Sequence, residues 1–269
     1  TVAVSPRQIL KDQLKRAETA GFSVMMGSEL EFFLSPDTYE QVAENGFRAP
    51  RTAGWYNLDY HILQTSKDEP IIRRIRNQML GANLPIEFSK GEAAPGQHEI
   101  NLRYSDALEM ADNHVVFKNG VKEIAHLEGQ SATFMAKPFA DQPGSSCHIH
   151  TSLWSLDGAT PLSPGDAGDG MSADFRSFVA GLVNHLADVT LLGAPNINSY
   201  KRYQSESWAP TATVWALDNR TAGLRLVGTG AGLRIESRIP GADAKSRAFH
   251  GGRTEAHTAE LESRPVSSQ

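Results

Sequence analysis

The chain has 269 residues, 40% of them hydrophobic and 21% charged, with a formal net charge of -5. This composition supports one large or two small domains with a sizeable core, and the acidic balance argues against a nucleic-acid-binding surface. No apolar run is long enough to span a membrane and no signal peptide is visible; the lone Cys147 excludes an internal disulfide, which fits a cytoplasmic setting.

The segment "SPRQILKDQLKRAETAG" predicts a helix, with Ser5 as N-cap, Pro6 in the first turn, a stripe of Ile9, Leu10, Leu14 and Ala17, and Gly21 as stop. "MMGSELEFFL" follows as a strand. The turn-rich stretch "SPDTYEQVAENGFRAPRTAGWYNLDY" reads as a long loop, and "DEPIIRRIRNQMLGAN" as a helix. "LPIEFSKGEAAPGQHEINLRY" reads as two short strands around a Pro-Gly turn. "SDALEMADNHVVFKNGVKEIAHLEG" is a helix capped by Ser105 or Asp106 and stopped by Gly129. "SATFMAKPF" and "SSCHIHTSLW" read as strands joined by "ADQPG". After a Gly/Pro/Asp loop, "ADFRSFVAGLVNHLADVTLLG" is a strongly apolar helix. "TATVWALD", "AGLRLV" and "LRIESRIP" are short strands. Several strands are not separated by helices, so the expected class is α+β with a mainly antiparallel sheet. From Lys245 the chain turns polar and loses periodicity, which predicts a disordered tail over residues 245–269.

The chemistry is carried by polar strand faces. In a strand, residues two apart share a face, so Glu29 and Glu31 stand together opposite Ser28, Leu30, Phe32 and Leu34. Glu92 and Glu99 flank the Pro-Gly turn of "GEAAPGQHEINL". Ser146, His148, His150 and Ser152 share one face of their strand, and Arg234, Glu236 and Arg238 share one face of theirs; Arg202, Arg220 and Arg225 lie in "NSYKRYQSESWAP" and "DNRTAGLR". Any one of these stretches is also what a half-exposed strand shows, and an Arg/Glu ladder on a surface adds little stability. Together they are harder to read that way. Adjacent carboxylates repel, so a shared acidic face needs cations. Hard oxygen donors with one imidazole suit Mg²⁺ or Mn²⁺ better than zinc, and arginines beside such metals suit phosphate oxygens. The combination points to phosphoryl-group chemistry, without a Walker-type loop or a dinucleotide fingerprint.

The ordered set "SELEFFL", "EAAPGQHEINLRYSDALEMADNHVVFK", "TFMAKPF", "CHIHTSLW", "NSYKRYQSESWAP", "DNR" and "RIESRIPGADA" resembles the glutamine synthetase family over about residues 5 to 244. The resemblance implies a catalytic domain over residues 1–244 built on a curved, mainly antiparallel sheet, an open funnel flanked by helices, with two divalent metal sites at its waist. Carried over position by position, Glu31, Glu92 and Glu99 match the ligands of the tighter metal site, and Glu29, His148 and Glu236 those of the site beside the nucleotide phosphates. Arg202 and Arg238 match residues that hold glutamate. Arg220 and Arg225 match residues that contact the transferring phosphoryl group and the nucleotide phosphates. Glu87, His150, Ser152 and Arg234 match positions on the nucleotide side. The implied reaction uses ATP and Mg²⁺ or Mn²⁺ to phosphorylate the γ-carboxylate of glutamate. Ammonia, or an amine in some relatives, then attacks to give an amide. The family forms homo-oligomers of stacked rings with active sites between subunits.

This chain departs from the pattern in three places. Trp208 stands where the family usually has a Glu that helps bind ammonium, with Glu206 two residues earlier as a possible substitute. A neutral aromatic there removes a charge that favours ammonium and suits an alkyl chain or cation, which makes polyamines or ethanolamine alternatives to ammonia. In "QPGSSCH", Pro143 replaces an Asn beside the glutamate site while Gly144 is kept. Finally, the family's N-terminal β-grasp domain and helical C-terminal region have no counterpart in the sequence. The expected function is therefore a glutamate–ammonia ligase. A glutamate–amine ligase and a non-catalytic relative that binds nucleotide or metal are the alternatives.

Overall fold

The computed structural model describes residues 2–48, 50–57, 59–205 and 207–252. Helix α1 (Pro6–Thr19) is capped by the Ser5 hydroxyl, which accepts from the Gln8 N–H, and it buries Leu10 and Ala17. Strand β1 (Ser23–Ser35) runs through the centre of the molecule, with Leu30, Phe32 and Leu34 in the core. Helices α2 (Tyr39–Glu44) and α3 (Ile62–Gly81) precede the hairpin of β2 (Ile86–Gly91) and β3 (Gln97–Asp106). Helix α4 (Ala107–Leu127) is capped by Asp106, whose carboxylate accepts from the Leu108 and Glu109 N–H groups. Then come β4 (Ser131–Thr133), β5 (Cys147–Trp154), α5 (Ala173–Gly193) and α6 (Ile197–Tyr200). β6 (Trp215–Leu217), β7 (Leu224–Val227) and β8 (Arg234–Ser237) complete the order.

Among the described residues the strands form one open sheet in the order β2-β3-β1-β5-β8-β7-β6, with β4 paired to β1. Its pairs are antiparallel except β6 with β7, so the expected mainly antiparallel α+β class holds. One face carries the apolar set Met26, Leu30, Phe32, Ile100, Leu102, Cys147, Ile149, Leu226 and Ile235, packed with Phe117 and Val121 of α4 and Phe178 and Leu182 of α5. The other face is left for polar side chains. The hairpin turn brings Gly96 (φ +74°) against the segment before α3. A Cβ there would lie 2.7 Å from the Ala53 nitrogen, so only glycine closes the turn.

Several expectations change. The loop after β1 contains α2, held by a capping box between Thr38 and Gln41. Helix α3 begins at Ile62 rather than Asp68. Gln64 and Asp68 are buried in its first turns, Asp68 against His98 Nε2 (3.0 Å), and Pro70 lies inside the helix. The strand expected over "SATFMAKPF" is only β4, and "NSY" belongs to the short α6. Residues 246–252, expected to begin a disordered tail, are helical, because Phe249 is buried against Gly193. Residues 253–269 of that expected tail lie outside the described residues. Among the described residues no helix is long and apolar enough to cross a membrane.

Candidate active site

The sheet register assembles the acids in rows. Glu99 on β3 sits between Glu31 on β1 and Lys90 on β2. Glu29 pairs across to His148 on β5. Glu236 on β8 lies between His150 on β5 and Arg225 on β7. Directly opposed side chains in such ladders meet within contact range, so period-two alternation on separate strands becomes a continuous charged surface.

Each carboxylate has a different environment. Glu31 is buried and accepts from the Ser146 N–H (2.8 Å), the Ser146 hydroxyl (2.6 Å) and Gln97 Nε2 (3.1 Å). Arg234 Nε donates to His150 Nδ1 (3.1 Å), so Nε2 of that ring carries the proton given to Glu29 (2.7 Å). His148 Nδ1 lies 2.9 Å from the other oxygen of Glu29 and 3.4 Å from Glu236. Burial pushes Glu29 up, but hydrogen bonds from His148 and His150 hold it well below the usual carboxylate range. Burial likewise opposes ionisation of Glu236, which is 1% exposed, and His148 and Arg238 outweigh it. Glu99 goes the other way. Burial, then Glu29 and Glu31, push it up to about 9, against the pull of Lys90. Burial and Glu31 raise Glu92 as well.

This donor set fits a hard divalent cation. Ligand atoms of Glu29, His148 and Glu236 lie within 4.8 Å of one another, as do those of Glu31, Glu99 and His148. The first trio is the set that the resemblance implies. In the second, His148 joins Glu31 and Glu99, while Glu92 is turned onto Lys90. Oxygen-rich donors, mutual repulsion and a Glu99 carboxyl pushed up by burial and its acidic neighbours all describe a site that a Mg²⁺- or Mn²⁺-like charge would relax.

The acids open into a cavity of about 880 Å³, whose walls include Gly144, Arg202, Trp208, Arg220, Arg225 and Arg238. Arg225 Nη1 and Arg238 Nη1 donate to opposite oxygens of Glu236, at 2.9 and 2.5 Å. Arg202 is buried and donates to the carbonyls of Ile239 (2.8 Å) and Arg238 (2.9 Å), which leaves part of its fork for a ligand. Gly144 is required by close approach, since a Cβ there would sit 2.5 Å from the Ala136 carbonyl and 2.9 Å from Arg202 Cγ. Arg220 is exposed on the wall, and Trp208, 66% exposed, stands at the rim.

Other candidate residues lie outside this cavity. His150 donates to Glu29 and lies opposite Glu236, both on the cavity wall, and Arg234 donates to His150. Ser152 accepts from Trp154 Nε1 (2.9 Å), and Glu87 is exposed at the β2 bulge. Glu206 is outside the described residues. Conversely, Gln97, Ser146 and Lys90 contact the acids although their residue types alone did not single them out. Ser146 was visible on the His148 face. Lys90 carried no local signal, because only the β2–β3 register sets it opposite Glu99.

Comparison with known proteins is consistent with this geometry. Residues 3–246 match the family model for the glutamine synthetase catalytic domain. The gamma-glutamylethanolamide synthetase of Streptomyces coelicolor is 50% identical over 242 residues, 90% of this chain and 52% of that protein. The glutamate–isopropylamine ligase of a Pseudomonas species is 38% identical over 245 residues, covering 89% of this chain and 52% of that protein. The solved structure of GmaS with ADP superposes with a TM-score of 0.86 at 30% identity, covering 98% of this chain and 61% of that one. The chain thus spans about half the length of the curated relatives it matches. With the motifs in order, the catalytic-domain match over most of the chain and the acids and arginines on one sheet face, this chain belongs to the glutamine synthetase family.

Proposed function

We propose that this chain carries the metal- and phosphate-handling part of an ATP-dependent ligase that joins the γ-carboxylate of glutamate to an amine. The observation that carries the reading is the convergence of two acid–imidazole trios and four arginines on one cavity. Glu29, His148 and Glu236 would hold one divalent cation, and Glu31, Glu92 and Glu99 the other. When bound, Mg²⁺ or Mn²⁺ offsets negative charge on the phosphoryl oxygens. Arg202, Arg238 and the Gly144 backbone place glutamate. A γ-carboxylate oxygen attacks the terminal phosphorus of ATP, and ADP leaves. Arg220 and Arg225 stabilise the charge that spreads over the transferring group. The amine nitrogen then attacks the acyl carbon, phosphate leaves, and the nitrogen gives up a proton. Glu87, His150, Ser152 and Arg234 serve the nucleotide side. There Trp154 stacks on Tyr104 with centroids 6.1 Å apart, offering an aromatic surface to a base.

An amine is favoured over ammonia as nucleophile. Trp208 offers the rim a neutral aromatic face rather than a carboxylate, and two relatives are named for ethanolamide and isopropylamine products or substrates. The second reading, glutamine formation from ammonia, is supported by the family match itself. Ring-shaped homo-oligomers are proposed by analogy with the family, to be read by light scattering.

The test is ADP release with glutamate and Mg²⁺ or Mn²⁺, comparing ammonium, ethanolamine, isopropylamine and a polyamine. Release that needs both glutamate and an amine supports the ligase. Turnover with ammonium and none of the amines selects the second reading. ATP binding without release under every condition points to a non-catalytic relative.

A further inference from the structure

Lys90 occupies an unusual place. The β2–β3 ladder sets it opposite Glu99, and its ammonium contacts Glu92 and lies 3.2 Å from Glu99 Oε1. Both carboxylates belong to the set assigned above to the tighter metal. Glu92 is absent from either trio that could hold an ion in this structure, and its side chain is engaged by Lys90. The same ammonium lies 4.9 Å from the centre of the Tyr60 ring. Tyr60 (φ +70°) and Asp59 (φ +28°) both adopt a left-handed backbone, and the Asp59 N–H donates to the Glu92 carbonyl (3.1 Å). The segment before α3 is thus tied to the backbone of the very residue that Lys90 holds.

We infer that Lys90 is a tethered cation that competes with the divalent metal for Glu92 and Glu99 and must leave them for the metal to bind; this rests on the metal-dependent reading above. A monovalent ammonium and a divalent ion cannot share the same carboxylate oxygens without strong repulsion, so metal entry displaces one by the other. In the metal-free protein Lys90 pairs with the Glu92 carboxylate and contacts Glu99 Oε1, offsetting negative charge beside Glu31. On release, its ammonium keeps the Tyr60 face as a partner. A purely structural ion pair would act in the opposite direction, because its removal would loosen the acids and weaken metal binding.

Two measurements on the 269-residue chain decide this. In Mn²⁺ titration by calorimetry, Lys90→Met binds roughly three- to tenfold tighter than the parent, the scale of one partly buried ion pair, while Lys90→Arg stays near the parent. Independently of any variant, amine-reactive labelling of Lys90 in the parent, read by mass spectrometry, speeds up at saturating Mn²⁺ relative to exposed Lys15. Equal or weaker binding by Lys90→Met, or labelling that is unchanged or slower, overturns the inference while leaving the metal reading intact. If neither parent nor variant binds Mn²⁺, both fall together.

Discussion

Replacing Glu31 in two different ways separates its ligand role from its structural one. Its Oε2 accepts from the Ser146 N–H and Gln97 Nε2, and its Oε1 accepts from the Ser146 hydroxyl. In Glu31→Gln the amide oxygen can keep the first two bonds, while the amide NH₂ donates to the Ser146 hydroxyl, which can accept. The Ser146 N–H and Gln97 keep an acceptor and the Ser146 hydroxyl keeps a partner, so the fold holds with a stability change of about 1 kcal/mol or less per bond as charge assistance is lost. In Glu31→Ala the buried Ser146 N–H is orphaned. Gln97 Nε2 retains the Gly144 carbonyl (3.1 Å) and Ser145 Oγ (3.3 Å). The Ser146 N–H and the Ser146 hydroxyl, both left without an acceptor, plus a small void cost about 2–5 kcal/mol. Both variants lose the carboxylate, so both should bind Mn²⁺ at least roughly tenfold more weakly, the lower end of what disturbing even an outer-shell ligand costs. Calorimetric titration reads the affinity and urea denaturation reads the stability. Mn²⁺ binding by Glu31→Gln within twofold of the parent refutes the ligand role. Equal destabilisation by both variants refutes the hydrogen-bond account.

Other consequences can be checked in the same way. Because the Glu99 carboxyl is raised to about 9, it carries a proton at pH 7 in the metal-free protein. Mn²⁺ binding should then release a proton, and the apparent enthalpy should vary with the ionisation enthalpy of the buffer. A raised carboxylate pKa contributes stability that is complete below about 4.5 and is lost as pH climbs through about 9. The urea midpoint of the metal-free protein should therefore fall between about pH 5 and 9, and Glu99→Gln should flatten that fall. Trp208→Glu, at an exposed position, should leave the thermal midpoint unchanged and shift the ratio of ammonium- to amine-dependent ADP release toward ammonium. An unchanged ratio rules out Trp208 as the selector. Gly144→Ala forces a Cβ against the Ala136 carbonyl and Arg202 Cγ, costing about 1–3 kcal/mol and raising the KM for glutamate more than it lowers kcat.

The local elements with strong periodicity and caps could be read directly. Helix α5 has the bounds that its apolar pattern indicates, closed by the Ser172 cap, and α4 begins at the Asp106 cap that the sequence offered. The alternation in β1, β5 and β8 likewise assigned their polar faces correctly, because a pleat leaves a side chain only two directions. Short helices were harder. The α2 capping box was present in "TYEQ", but six residues give too little periodicity to stand out from a loop. Residues 246–252 are helical because Phe249 finds a pocket beside Gly193, a long-range contact that local composition does not encode.

Alternation on each strand determined that Glu29 and Glu31, His148 and His150, and Arg234 and Glu236 would each face one way. It could not determine who meets whom across strands. That choice was made by the hairpin turn at Gly96, the β2 bulge and the pairing of β1 between β3 and β5. Those features put Lys90 against Glu92 and Glu99, shared His148 between two trios and closed Arg225 and Arg238 on Glu236. Strand periodicity is a property of neighbours in the chain. Register is a property of hydrogen bonds between residues far apart in it, and it appears only when the sheet is assembled.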